Sequence, residues 1–242
     1  MTEESDILEV KDLKVHFPVK KGVFARTVGY VKAVDGVSFN VRRGETLGVV
    51  GESGSGKSTV ARVVAGLVRS TGGEFTLRGR AAMVFQDPQG SLNPRQSVQA
   101  ALSETIRHAR SDMTALDLLE AVGLDKSHLN KYPHEFSGGQ RQRVCIARAI
   151  ALKPQFLICD EAVSALDLSI RSQILDLLSD LKKRLDLSLM FITHDLGVVR
   201  HIADRIIVMK AGRIVERGDC AEVLSKPQDP YTQRLIASVP TL

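Results

Sequence analysis

Apolar and polar positions follow two different periods along the chain. Residues 7–17 and 31–41 read as strands flanking a basic, glycine-containing loop, Lys20–Gly29. Thr46–Val50 is a short apolar strand that runs into Gly51, and Val60, Val63, Val64 and Leu67 then recur at helical spacing over 58–67. Residues 97–123 read as helical, with Gly123 at a helix end. A further helix is expected from near Ser137 to about Leu152, with Pro154 beyond it. Phe156–Cys159 is wholly apolar, as in a parallel strand covered on both faces. Ile170, Ile174, Leu177, Leu178, Leu181 and Leu185 line one face of a long helix, and Ser188–Thr193 is another strand. Arg205–Lys210 and Arg213–Glu216 form a hairpin around Ala211-Gly212, and two short helices follow. This alternation predicts an α/β fold with a helical insertion between about residues 90 and 150.

Composition narrows the class. The 242 residues are 43% hydrophobic and 25% charged, ordinary for a globular chain with a core of useful size. The net charge of +5 is spread along the chain, aromatics are only 5% and Trp is absent, so no nucleic-acid partner is expected. Cys145, Cys159 and Cys220 have no metal-ligand spacing and suit a reducing compartment. The first residues are acidic and unlike a secretory signal, and no stretch approaches a membrane span. If the chain serves a membrane, other subunits must supply the membrane part.

The chemistry lies at Gly51-Glu52-Ser53-Gly54-Ser55-Gly56-Lys57-Ser58, which fills every fixed position of the phosphate-binding P-loop pattern. Glycines let successive N–H groups turn inward around phosphate oxygens. The following helix adds the positive end of its dipole. Lys57 brings charge to the terminal phosphates and Ser58 a hydroxyl to Mg²⁺. The apolar strand Phe156–Cys159 ends in Asp160 and Glu161, which puts two acids at the sheet edge where ligands bind. Asp160 would serve the Mg²⁺ shell, and Glu161 would be general base toward the attacking water. These two motifs describe a nucleotide phosphohydrolase without choosing among P-loop families.

The remaining motifs choose. Phe136-Ser137-Gly138-Gly139-Gln140 resembles the signature of ABC ATPases, usually written with Leu first. Gln86, after Met83-Val84-Phe85, resembles the Q-loop glutamine. Ser164-Ala165-Leu166-Asp167 resembles the D-loop, and His194, after Phe191-Ile192-Thr193, the switch histidine. The resemblance implies one ABC ATPase domain over 1–242, with a RecA-like P-loop NTPase core, an antiparallel β part at the N-terminal end and a helical subdomain at about 90–150. It implies ATP and Mg²⁺ as cofactors. Nucleotide contacts would come from Gly51, Ser53, Gly54, Ser55, Gly56, Lys57, Ser58 and Thr59, with Phe17 or alternatively Tyr30 stacking on adenine. Ser137, Gly138, Gly139, Gln140 and Asp167 would meet the nucleotide of a second subunit, so that each site is composite. Mg²⁺ would be held by Ser58, Gln86 and Asp160, and catalysis would fall to Glu161, His194 and Gln86.

Phe85-Gln86-Asp87-Pro88, Ser91-Leu92-Asn93-Pro94, Tyr132–Phe136 and the tail Pro230-Tyr231-Thr232 are similar to the dipeptide, oligopeptide and nickel importer subfamily. That similarity implies solute uptake at the cytoplasmic face of the cell membrane. It also implies two permease subunits, a second ATPase expected to be a paralogue, and an extracytoplasmic solute-binding protein as an indirect partner. Three departures stand out. Only eleven residues, Phe75–Phe85, separate Glu74 from Gln86, so part of a β-hairpin arm is missing relative to the subfamily. Ala162 follows the acidic pair where relatives carry Pro, which is expected to loosen the turn at Glu161. The chain ends without a cysteine-containing extension, so no iron–sulfur cluster is expected. An ABC ATPase of the ribosome or of DNA repair would carry two cassettes or a long coiled-coil insertion, and a P-loop kinase would lack Ser-Gly-Gly-Gln.

Overall fold

A computed structural model describes residues 6–21 and 26–238. The elements in chain order are β1 Asp6–Lys21, β2 Arg26–Arg42, β3 Thr46–Val50, α1 Lys57–Val64, β4 Gly72–Leu77 and β5 Ala81–Val84. Next come α2 Pro88–Ser91, α3 Val98–Ala109, α4 Ala115–Ala121, α5 Gly138–Ala151, β6 Phe156–Asp160 and α6 Leu168–Arg184. The chain closes with β7 Ser188–Thr193, α7 Leu196–Ile202, β8 Arg205–Lys210, β9 Arg213–Asp219, α8 Cys220–Ser225 and α9 Pro230–Ala237. They group into two compact units, one built from the segments up to Arg78 and from Met190 onward, the other from Gly79–Leu189.

The first unit holds an antiparallel sheet in the order β2-β1-β4. It also holds the parallel pair β3·β8, in register from Leu47↔Arg205 to Val50↔Val208, and the antiparallel β8·β9 hairpin. All five residues of β3 are buried, Thr46 included, as in a strand covered on both faces. Around it Val50, Leu196, Val199, Ile206, Val208, Cys220, Val223 and Tyr231 form one apolar cluster. Gly48 is tied to this packing, because a Cβ there would fall 2.7 Å from Val199 Cγ1. In the second unit β5 pairs parallel with β6 from Ala81↔Phe156 to Val84↔Cys159, and every residue of β6 is buried. Strand β7, also buried throughout, leads the chain back toward the first unit.

The sequence-derived elements need three corrections. The segment expected as a loop at Lys20–Gly29 is strand at both ends, because β1 runs to Lys21 and β2 starts at Arg26; residues 22–25 lie outside the described part. The helix expected over 97–123 is two helices. Arg110 adopts φ 51 as the C-cap of α3, and Thr114 opens α4 with a capping box to Asp117. Leu67, read at helical spacing with Val60, Val63 and Val64, lies past the end of α1 and is 58% exposed.

All three cysteines are buried. Burial pushes the Cys145 and Cys159 thiols up to about 12, and the Cys220 thiol is also raised.

Candidate functional site

The loop after β3 is built by the geometry of its glycines. Gly51 has φ 147, and a Cβ on it would overlap the Met209 carbonyl oxygen. Gly56 has φ 105, and its Cβ would overlap the Ala33 carbonyl oxygen. Gly54, at φ 79, needs the left-handed region but has open space around it. Only glycine satisfies both the conformation and the close approach at Gly51 and Gly56. Gly56 is also the N-cap of α1 and has no side chain to cap it, so the first N–H groups of α1 face the loop.

Lys57 is 4% exposed, yet its charge is satisfied inside the loop. Its ammonium donates to the Gly51 carbonyl at 2.7 Å, to the Glu52 carbonyl at 2.8 Å and to Ser55 Oγ at 3.4 Å. An ammonium held at the mouth of a ring of backbone groups, with glycine where a Cβ would fill the cradle, fits a polyphosphate. Ser55 is buried, Ser58 and Thr59 are partly buried, and Ser53 is exposed.

A second layer braces this loop, and sequence reasoning missed it. The Glu52 N–H donates to the Tyr231 hydroxyl at 3.0 Å, and Lys210 Nζ lies 4.9 Å from the Tyr231 ring centroid. The Gly212 N–H donates to the Ser55 carbonyl at 2.9 Å. These are long-range contacts of backbone and tail groups, so no local spacing announces them.

Phe17 is 43% and Tyr30 64% exposed, so neither packs beneath the sheet. Phe17 pairs with Val31 and Pro18 with Tyr30, which puts the two aromatics on opposite faces of the β1·β2 hairpin. His194 is exposed at the end of β7, beside Asp195, whose carboxylate caps α7 by accepting from the Gly197 N–H at 2.9 Å.

In the second unit β6 delivers Asp160 buried and Glu161 partly exposed. Glu161 has φ 50, an uncommon conformation for a residue with a side chain. The Gln86 Nε2 amide donates to Glu161 Oε2 at 3.0 Å. The turn beyond is closed rather than loose. The Ser164 N–H and hydroxyl both donate to the Glu161 carbonyl, at 3.1 and 2.9 Å, and Ala162 and Val163 are buried.

Ser137 and Gln140 form a capping box at the start of α5: the Gln140 N–H donates to Ser137 Oγ, and the Ser137 N–H to Gln140 Oε1. Gly138 is exposed, whereas a Cβ on Gly139 would fall 2.5 Å from Ile170 Cγ2, so Gly139 serves the packing of α5 on α6. Asp167 is the exposed N-cap residue of α6.

The predicted site residues therefore fall in two sets. Phe17, the loop 51–59 and His194 belong to the first unit, and Gln86, Ser137–Gln140, Asp160, Glu161 and Asp167 to the second. Among the described residues no three His, Cys, Asp or Glu side chains cluster into a metal cage. Ser58, partly buried at the start of α1, offers the kind of hydroxyl oxygen that Mg²⁺ takes together with phosphate and water.

Residues 34–164 match the profile of the family described as ABC transporter. The chain belongs to that family. It is 46% identical to the dipeptide transport ATP-binding protein DppF of Escherichia coli K12, in an alignment covering 100% of this chain and 78% of the relative. It is 45% identical to the oligopeptide transport ATP-binding protein AppF of Bacillus subtilis, covering 98% and 79%. The first alignment spans 263 positions, 21 more than the chain's 242 residues, so the relative carries about that many residues without a counterpart here. Among solved structures, cbiO1 of Clostridium perfringens, part of the ABC transporter complex cbiONQ, is 26% identical with TM-score 0.73, covering 92% of each chain. The dimeric ATP-binding cassette MJ0796 in a post-hydrolysis state with ADP and phosphate is 27% identical with TM-score 0.74, covering 88% of this chain and 98% of that one. The fold is that of the P-loop cassettes, and the ATPase is a transporter ATPase of this family. Among the described residues no helix is long and apolar enough to cross a membrane.

Proposed function

We propose that this ATPase powers uptake of peptides, or of related solutes such as nickel or metal chelates, from the cytoplasmic face of the cell membrane. It would work with two permease subunits, a paralogous ATPase and, indirectly, an extracytoplasmic solute-binding protein. The observation that carries the reading is a likeness to dipeptide and oligopeptide transport ATPases that runs over essentially the whole chain at 45–46% identity. A glutathione import ATP-binding protein is also 46% identical, and this chain spans 42% of it.

Within this reading the loop residues 51–59 bind the phosphates of ATP, with Lys57 supplying charge and Ser58 a hydroxyl to Mg²⁺. Asp160 and Gln86 would also hold the Mg²⁺. Bound Mg²⁺ would neutralise charge on the phosphates. Glu161 accepts the proton of the attacking water, and Gln86 orients the Glu161 carboxylate through the bond described above. His194 steadies that water. Phe17 stacks on adenine. Ser137, Gly138, Gly139, Gln140 and Asp167 meet the nucleotide held by the second ATPase.

The test is reconstitution. The chain is placed in vesicles with a candidate paralogous ATPase, two candidate permeases and a solute-binding protein. ATP-dependent accumulation of labelled dipeptide, oligopeptide or nickel, abolished by Glu161→Gln, is expected. Full ATP turnover with no accumulation of any of these solutes would overturn the uptake reading and leave the ATPase standing.

A further inference from the structure

Asp35 occupies an unusual place in the first unit, because its backbone and its side chain serve opposite ends of the proposed nucleotide site. Its N–H donates to the Gly212 carbonyl at 2.9 Å, and the Gly212 N–H donates to the Ser55 carbonyl at 2.9 Å. Two residues earlier on the same strand, the Ala33 carbonyl lies where a Cβ on Gly56 would sit. Strand β2 is thus laced to the phosphate loop through the β8–β9 turn.

The carboxylate reaches three cationic or cationisable groups. Asp35 Oδ2 accepts from Arg213 Nη2 at 2.8 Å and lies 3.6 Å from Lys32 Nζ, and Oδ1 meets His16 Nε2 at 3.1 Å. His16 is the residue before Phe17, and Arg213 the residue after Gly212. A single surface ion pair contributes little, but several charges on one shielded carboxylate form a network, which is the case where such contacts matter. The Asp35 side chain is only 13% exposed.

We propose that Asp35 is a positioning residue for nucleotide. It fixes the strand that carries Phe17 against the turn that braces the phosphate loop, and so sets the spacing between base stacking and phosphate binding. The proposal rests on the reading of Phe17 as the adenine-stacking residue. It requires that loss of the carboxylate loosen base and phosphates relative to each other while leaving the loop itself intact, since the loop is held by Lys57 and by backbone groups.

The two ends separate when ATP is compared with tripolyphosphate, which has no base. Calorimetry on the full chain with Asp35→Asn is expected to show ATP affinity reduced roughly tenfold, the scale of one lost charge contact, and tripolyphosphate affinity unchanged. Asp35→Glu should recover part of the ATP affinity. Arg213→Gln, at an exposed position, should act in the same direction with smaller size, and it decides by the same criterion if Asp35→Asn does not fold. Equal weakening of both ligands would mean damage to the loop and would overturn the proposal, as would unchanged ATP affinity. Phe17→Ala is the control. If it leaves ATP affinity unchanged, the stacking reading fails. If it weakens ATP while Asp35→Asn is silent, only the positioning role fails.

Discussion

The Gln86 side-chain amide donates to the Glu161 carboxylate at 3.0 Å, and Glu161 holds that position with φ 50. A left-handed backbone at a residue with a long side chain costs roughly 1–2 kcal/mol. Here the geometry is imposed by Ser164, which donates twice to the Glu161 carbonyl. Strain of this kind persists where surrounding contacts over-determine it, and it concentrates at functional sites.

Replacing the base tests this arrangement most directly. Glu161→Gln should keep ATP affinity and lose turnover by roughly 10²–10⁴-fold, the usual contribution of a general base. Single-turnover hydrolysis together with ATP binding reads both quantities. Turnover within a few-fold of the parent would remove Glu161 from the mechanism.

The loop glycines should not respond alike. Gly51→Ala meets the Met209 carbonyl and should abolish ATP binding or folding. Gly54→Ala has room and bears only the cost of its φ of 79, roughly 1–2 kcal/mol. At this chain length about 2–4 °C of Tm is expected per kcal/mol. Thermal melts that rank Gly54→Ala as the more damaging of the two would contradict the loop geometry.

Trp is absent from the chain, so a single introduced indole reports its own position. Phe17→Trp should be quenched on adding ATP and should stay bright with tripolyphosphate. Tyr30→Trp, on the opposite face of the hairpin, should respond to neither. Quenching at residue 30 and none at 17 would reassign the stacking aromatic.

The Arg213 hydrogen bond, helped by His16 and by the Lys32 charge and opposed by burial, holds the Asp35 carboxyl down at about 2. A free Asp titrates near 3.9. Between those values the unfolded chain binds more protons than the folded one. The carboxylate's contribution is therefore complete above about pH 4 and is lost as pH falls through about 2. Tm values of the parent and of Asp35→Asn should differ most above about pH 5 and converge in acid. A Tm gap that stays constant down to pH 2 would show that the charge is not what matters.

Much of the site is legible in sequence because its physics is local. A buried strand, a glycine run and an amphipathic helix follow one another from Thr46 to Val64, and an apolar strand ends in Asp160-Glu161. The capping box of Ser137 and Gln140 is likewise a four-residue pattern. The break between α3 and α4 was also written in local terms, since Thr114 and Asp117 are a capping pair, but the apolar period continues across it and hides the stop. What could not be read are contacts closed by the fold. Tyr231 reaches Glu52 from 179 positions away, and nothing near Gly212 indicates that it bridges Ser55 and Asp35. That Gly139 also has a packing role was hidden too, because nothing in the local sequence places Ile170 2.5 Å from where its Cβ would be.

The burial of Cys145, Cys159 and Cys220, with every thiol raised, gives the chain a blank background for thiol chemistry. Maleimide and thiol-directed nitroxide reagents are attacked by thiolates, so the folded protein should take up little label although its own cysteines are still in place. A cysteine added at an exposed position such as Ser53 or Tyr30 then becomes the one reactive handle. Spectroscopic rulers can be attached to the phosphate loop and the hairpin without stripping the core of three well-packed side chains.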